Sequence, residues 1–127
     1  MKKIIYFLIA LALFTSCQPK EVKTLSADTM DDYQKMIIDK PLILVDFNAS
    51  WCGPCRQLSP ILNEIEIEKG DALHILKINT DLYPNISTAM QIDGIPALIL
   101  YKNNEIIWQH VGLISKEELN KIISANQ

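Results

Sequence analysis

Cysteine is scarce in this chain of 127 residues, and its three copies are unevenly placed: Cys17 stands alone, while Cys52 and Cys55 are two residues apart. There is no second close pair. The two histidines, His74 and His110, stand at no ligand spacing, so the usual four-ligand zinc set is missing and no metal or other cofactor is expected. Runs of basic residues are absent too. Twelve Lys and Arg stand against fifteen Asp and Glu, a formal charge of −3, which leaves nothing for a phosphate backbone to bind. Nucleic acid is therefore excluded as a partner, and attachment to anionic lipid by charge is excluded with it. No internal repeat or low-complexity stretch occurs, and the length suits a single domain, expected to be a monomer.

Long apolar runs are limited to one. Lys2 and Lys3 precede eleven apolar residues, Ile4 to Phe14, followed by Thr15-Ser16-Cys17. That is the layout of a secretory signal peptide, and it falls well short of the ~20 residues that a spanning helix needs. Phe14-Thr15-Ser16-Cys17 resembles the bacterial lipoprotein cleavage box, in which the cysteine receives diacylglyceryl and becomes the new N-terminus, although Phe14 stands where leucine is usual. The resemblance implies a leader over residues 1–16, a tether over 17–24 and a globular domain over 25–127. It places the protein on the periplasmic side of a bacterial membrane, anchored through a lipid on Cys17. The alternative is ordinary cleavage nearby, with Cys17 left unmodified or removed.

The remainder alternates helical and strand patterns. Met30, Tyr33 and Ile37 mark one helix face from Asp28 or Thr29, with Pro41 as its stop. Leu42–Phe47 is a continuous β-prone run suited to a central strand buried on both faces, and Asp46 is the anomaly in it. Leu58, Ile61, Leu62 and Ile65 carry a second helix that begins at the cysteine pair and stops at Gly70. A strand over Leu73–Asn79 and a short helix opened by Pro84 follow. Strand Ala97–Tyr101 turns through Asn103-Asn104 into Glu105–Val111 as a hairpin. Ser115 and Glu118 form a capping box for a last helix that buries Leu119, Ile122 and Ile123. The order predicts an α/β domain of three layers with a mixed sheet.

Two cysteines spaced in this way at a helix start can close a small disulfide ring, and the helix sets unpaired N–H groups and a partial positive charge beside the first sulfur. Thiolate is favoured there, which makes Cys52 the attacking group, while Cys55, one turn in, is expected to be more buried and to stay protonated. In thiol–disulfide exchange Cys52 attacks a client disulfide, a mixed disulfide forms, and Cys55 displaces the reduced client. Gly53 lets the chain turn sharply, and Pro54 removes an N–H that would otherwise be unpaired. A purely structural disulfide has the same spacing.

Ile43-Leu44-Val45-Asp46-Phe47 leading to Trp51-Cys52-Gly53-Pro54-Cys55-Arg56 resembles the strand and active-site signature of the thioredoxin family. Pro60 matches its helix proline, Lys77 its strand lysine, Gly94-Ile95-Pro96 its cis-proline loop and Gly112 its glycine after the last strand. The match covers about residues 25 to 125. It implies a thioredoxin-like fold and a protein-disulfide oxidoreductase acting on client proteins. Asp46 is then a buried proton acceptor for Cys55, with Lys77 as its modulating partner. Pro96 is expected to follow a cis bond that brings Ile95 beside Cys52, where an extended client segment pairs. Trp51 is expected either to form a partly exposed apolar platform near the site or simply to pack. Outside the cytoplasm such an enzyme needs a membrane protein as electron donor.

Three positions depart from the pattern. Asn48 replaces a common second tryptophan, which implies looser packing beside the site. Asp93 stands where a basic residue is frequent. Asn104 replaces a hairpin glycine whose backbone region asparagine tolerates. Asn85-Ile86-Ser87 fits the glycosylation pattern by chance. An oxidase is disfavoured, since that group carries a histidine between the cysteines and a helical insertion, and so is a binding protein with incidental cysteines. A role in cytochrome maturation stays open.

Overall fold

The computed structural model describes residues 28–127; the leader, the tether and Cys17 lie outside the described residues. The elements are α1 (Met30–Ile37), β1 (Leu42–Asn48), α2 (Gly53–Lys69), β2 (His74–Asn79), α3 (Pro84–Ala89), β3 (Ala97–Lys102), β4 (Glu105–Val111) and α4 (Lys116–Ala125). This is the predicted order. The sheet runs β2-β1-β3-β4, with β1 parallel to β2 through the α2 crossover and antiparallel to β3, and β3 antiparallel to β4.

β1 sits in the centre because both its faces are apolar, and period-two alternation divides its side chains between two cores. Leu42 and Leu44 join Leu98 and Leu100 of β3 under α2 and α4, packing on Leu58, Leu62, Ile65, Leu119 and Ile123. Ile43, Val45 and Phe47 join Ile99 and Tyr101 on the opposite face, against Tyr33 and Ile37 of α1 and Ile86 of α3. There the Tyr33 and Tyr101 hydroxyls share one hydrogen bond of 2.8 Å inside an otherwise apolar layer. The alternation that buries Leu42 and Leu44 puts Asp46 and Asn48 on the α2 face too. The anomalous acid therefore lies under the helix that bears the cysteines.

Local signals hold at most boundaries. Ser115 Oγ accepts from the Glu118 backbone N–H at 3.1 Å, and Gly70 ends α2 with a φ of +52°. Asn103 and Asn104 take positive φ in the hairpin, as asparagine allows. Other expectations need correction. α1 ends at Ile37, capped by Ile38, before Pro41 has any effect. β2 opens at His74, leaving the buried Leu73 outside the strand. Ile61 and Ile122 are only partly buried, because each lies at the edge of its helix's apolar stripe. One cap is long-range: Asp28 accepts from the N–H groups of Asn85 and Ile86 at 2.8 and 3.0 Å and closes the start of α3.

Candidate active site

Cys52 is the residue that caps α2, in extended conformation, and Gly53-Pro54 form the first helical positions. The cap fixes the chemistry, since the Cys55 backbone N–H donates to Cys52 Sγ at 3.2 Å. A sulfur that receives a helix-terminal N–H holds negative charge better when the bond is open. Here Cys52 and Cys55 are joined as a disulfide, with their Cα atoms 5.3 Å apart. Both are buried, Cys52 at 3% exposure and Cys55 at 6%, so in the oxidised form Cys55 is not the more buried of the two. Cys52 and Cys55 form a buried cluster with Ala49, against which Ile95 packs. Gly53 also departs from expectation. A Cβ there would meet only the Arg56 side chain at 3.9 Å, so the turn itself does not require glycine.

The Ile95–Pro96 bond is cis, and Ile95 packs on the cysteine cluster as expected. The Gly112 N–H, at a φ of +100°, donates to the Pro96 carbonyl at 2.8 Å and ties this loop to the end of β4. Trp51 is 67% exposed, and its indole N–H donates to Asp81 at 2.9 Å, a contact that fixes the ring plane. Beside it a shallow groove of about 320 Å³ runs between Trp51, Thr80, Ile92, Asp93, Gly94 and Ile95. Asp93 thus borders the surface next to the reactive bond.

Below the disulfide a second cavity of about 200 Å³ is lined by Asp46, Asn48, Cys55, Arg56, Ser59 and Lys77, among others. Asp46 is 4% exposed, and burial drives its pKa from 3.8 up to about 6 against the opposing pull of an Asn48 hydrogen bond and the Lys77 charge. Lys77 stands opposite Asp46 in the β1–β2 register. Its ammonium turns away, however, donating to Asn63 at 2.7 Å and Ser59 at 3.3 Å, so it acts on Asp46 through space only. Asn48 does not simply leave looser packing: its amide donates to the backbone carbonyl and to Oδ2 of Asp46, each at 3.2 Å. Asn48 and Asp81 are the site residues whose roles the sequence did not disclose. The only signal was spacing, since Asn48 is two residues from Asp46 on one strand face.

The thioredoxin family profile matches residues 22–125. The chain belongs to the thioredoxin family. It is 43% identical to a thioredoxin of Buchnera aphidicola subsp. Baizongia pistaciae over 91 residues, which cover 72% of this chain and 84% of that one. It is 34% identical to chloroplastic thioredoxin Y1 of Arabidopsis thaliana over 112 residues, 87% of this chain and 64% of the plant protein. Among solved structures, a mutant thioredoxin from Halobacterium salinarum superposes with a TM-score of 0.70 at 28% identity, covering 77% of this chain and 85% of that one. Thioredoxin homologues are disulfide oxidoreductases that act on disulfide-containing client proteins, and this member of the family carries the Cys52–Cys55 redox pair. The enzyme class is thiol–disulfide oxidoreductase.

Proposed function

We propose that this thioredoxin-family protein reduces or exchanges protein disulfides outside the cytoplasm, held at a membrane by a lipid on Cys17 and recharged by a membrane electron donor. The observation that carries the chemistry is the cysteine pair at the start of α2 above a buried carboxylate. The leader sequence supports the location. Among the described residues no helix is long and apolar enough to cross a membrane, and the reading assigns attachment to the lipid.

In the reduced enzyme the Cys52 thiolate attacks one sulfur of a client disulfide, forming a mixed disulfide and releasing the client's other sulfur as thiolate. Cys55 then loses its proton and attacks Cys52 Sγ. The new bond is the Cys52–Cys55 disulfide, the bond broken is the mixed disulfide, and the client leaves reduced by two electrons. Asp46 receives the Cys55 proton through the cavity they share, which has room for water. Client segments lie along Trp51 and the Ile95–Pro96 loop. The test is insulin reduction: Cys52→Ser should abolish it, whereas Cys55→Ser should trap a covalent client adduct that a reducing gel resolves. Equal rates for wild type and Cys52→Ser would defeat the assignment.

A further inference from the structure

We propose that Asn48 is a positioning residue for the proton acceptor: its carboxamide clamps Asp46 to one orientation and leaves a single carboxylate oxygen to take the proton of Cys55. The geometry is specific. The partners of the amide are the Asp46 carbonyl and Asp46 Oδ2, each at 3.2 Å; a carbonyl and an ionised carboxylate only accept, so the NH₂ group faces them. Asn48 is itself held in place, because its backbone carbonyl accepts from the Thr80 N–H at 2.8 Å and from Thr80 Oγ1 at 3.3 Å. The amide therefore bridges backbone and carboxylate of the same residue and fixes the side-chain torsion of Asp46. Asp46 Oδ1, by contrast, is buried and has no hydrogen-bond partner among the described residues. A buried acceptor without a partner costs stability, and a catalytic role is one reason for a fold to retain it. This one belongs to a residue that shares a cavity with Cys55.

Few other groups compete for the role. α2 contributes Cys55 and Arg56, whose guanidinium is directed to the Ser50 carbonyl at 3.0 Å. β2 contributes Lys77, which is bound to Ser59 and Asn63. β3 places the apolar Leu98 opposite Asp46. Asn48 is thus the group that bonds the carboxylate directly. A hydrogen bond to the charged form favours ionisation, opposing burial, and it keeps the base available at a lower pH than burial alone would permit. The residue common at this position in the family, tryptophan, has a single donor on a rigid ring and cannot make this fork.

This inference rests on Asp46 as proton acceptor, and its first test is independent of catalysis. In the oxidised protein, where no thiol of the pair titrates, the ¹³C carboxyl signal of Asp46 gives its midpoint. Asn48→Leu, which fills similar space without a donor, should raise that midpoint by about one pH unit. In wild type, the ¹⁵N signal of the Asn48 amide should follow pH with the midpoint of Asp46, a reading that needs no variant to fold. An unchanged or lowered midpoint in Asn48→Leu, or an Asn48 amide blind to the Asp46 titration, would overturn the proposal. For the active enzyme, the pH profile of client reduction should move up in Asn48→Leu but not in Asn48→Leu combined with Asp46→Asn. An Asp46 midpoint that moves while both profiles stay fixed would uphold the clamp and refute Asp46 as the acceptor.

Discussion

Replacing Asp46 with asparagine removes a charge from a site that folding makes hostile to charge. The folded carboxyl titrates at about 6 against an ordinary value of 3.8. Because the folded value is the higher, ionisation favours the unfolded chain. Stability from this group is fully present below about 3.8 and declines as pH rises to about 6, beyond which the deficit is constant. At about 1.4 kcal/mol per pH unit, the gap corresponds to about 3 kcal/mol, and the portion falling between about pH 4 and pH 8 is on the order of 2 to 3 kcal/mol. The absolute stability of Asp46→Asn is a poorer gauge, since the new amide brings a buried donor of its own that costs about 1–3 kcal/mol if unpaired. That offset does not vary with pH. The informative quantity is the stability of wild type minus that of the variant, from urea unfolding of both oxidised proteins across that range, and it should fall by the amount above as pH rises. Parallel curves would refute the buried, hard-to-ionise carboxylate. On the kinetic side, resolution of the mixed disulfide should slow about tenfold or more near neutral pH. The deficit should shrink at high pH, where Cys55 ionises unaided. Exchange kinetics unchanged across the pH range would leave Asp46 with no part in the chemistry.

Two further outcomes are expected. Cys17→Ser should leave the catalysis of the solubilised protein unchanged and release the chain from membranes; a variant still membrane-bound after salt and carbonate washing would refute the lipid anchor. Lys77→Met should raise the Asp46 midpoint by less than Asn48→Leu does, because the ammonium acts through space while the amide bonds the carboxylate. The same carboxyl titration reads both variants, and a larger effect from Lys77 would invert that order.

Much of this protein was legible in one dimension. The element order, the buried central strand, the cysteine pair at a helix start and the Ser115 cap of the last helix are written in periodicity and in side chains acting within one turn of themselves. Asp46 could be singled out for the same reason, as a charge in an apolar run. What it faces could not. Its neighbours follow from the β1–β2 register, which sets Lys77 opposite it, and from rotamers, which then send the ammonium to Asn63 and Ser59 on α2 instead. The same holds for the Trp51–Asp81 contact and for the Asp28 cap on α3, which join residues 30 and 57 or 58 positions apart. Asn48 shows the boundary most clearly. By sequence it is a substitution that deletes an aromatic ring beside the site. Only in the fold, with Thr80 pinning its backbone and strand alternation putting it on the face of Asp46, does it become the donor that holds the acid. Short-range patterns determine which elements form, and the meeting of distant elements determines which polar atoms find partners.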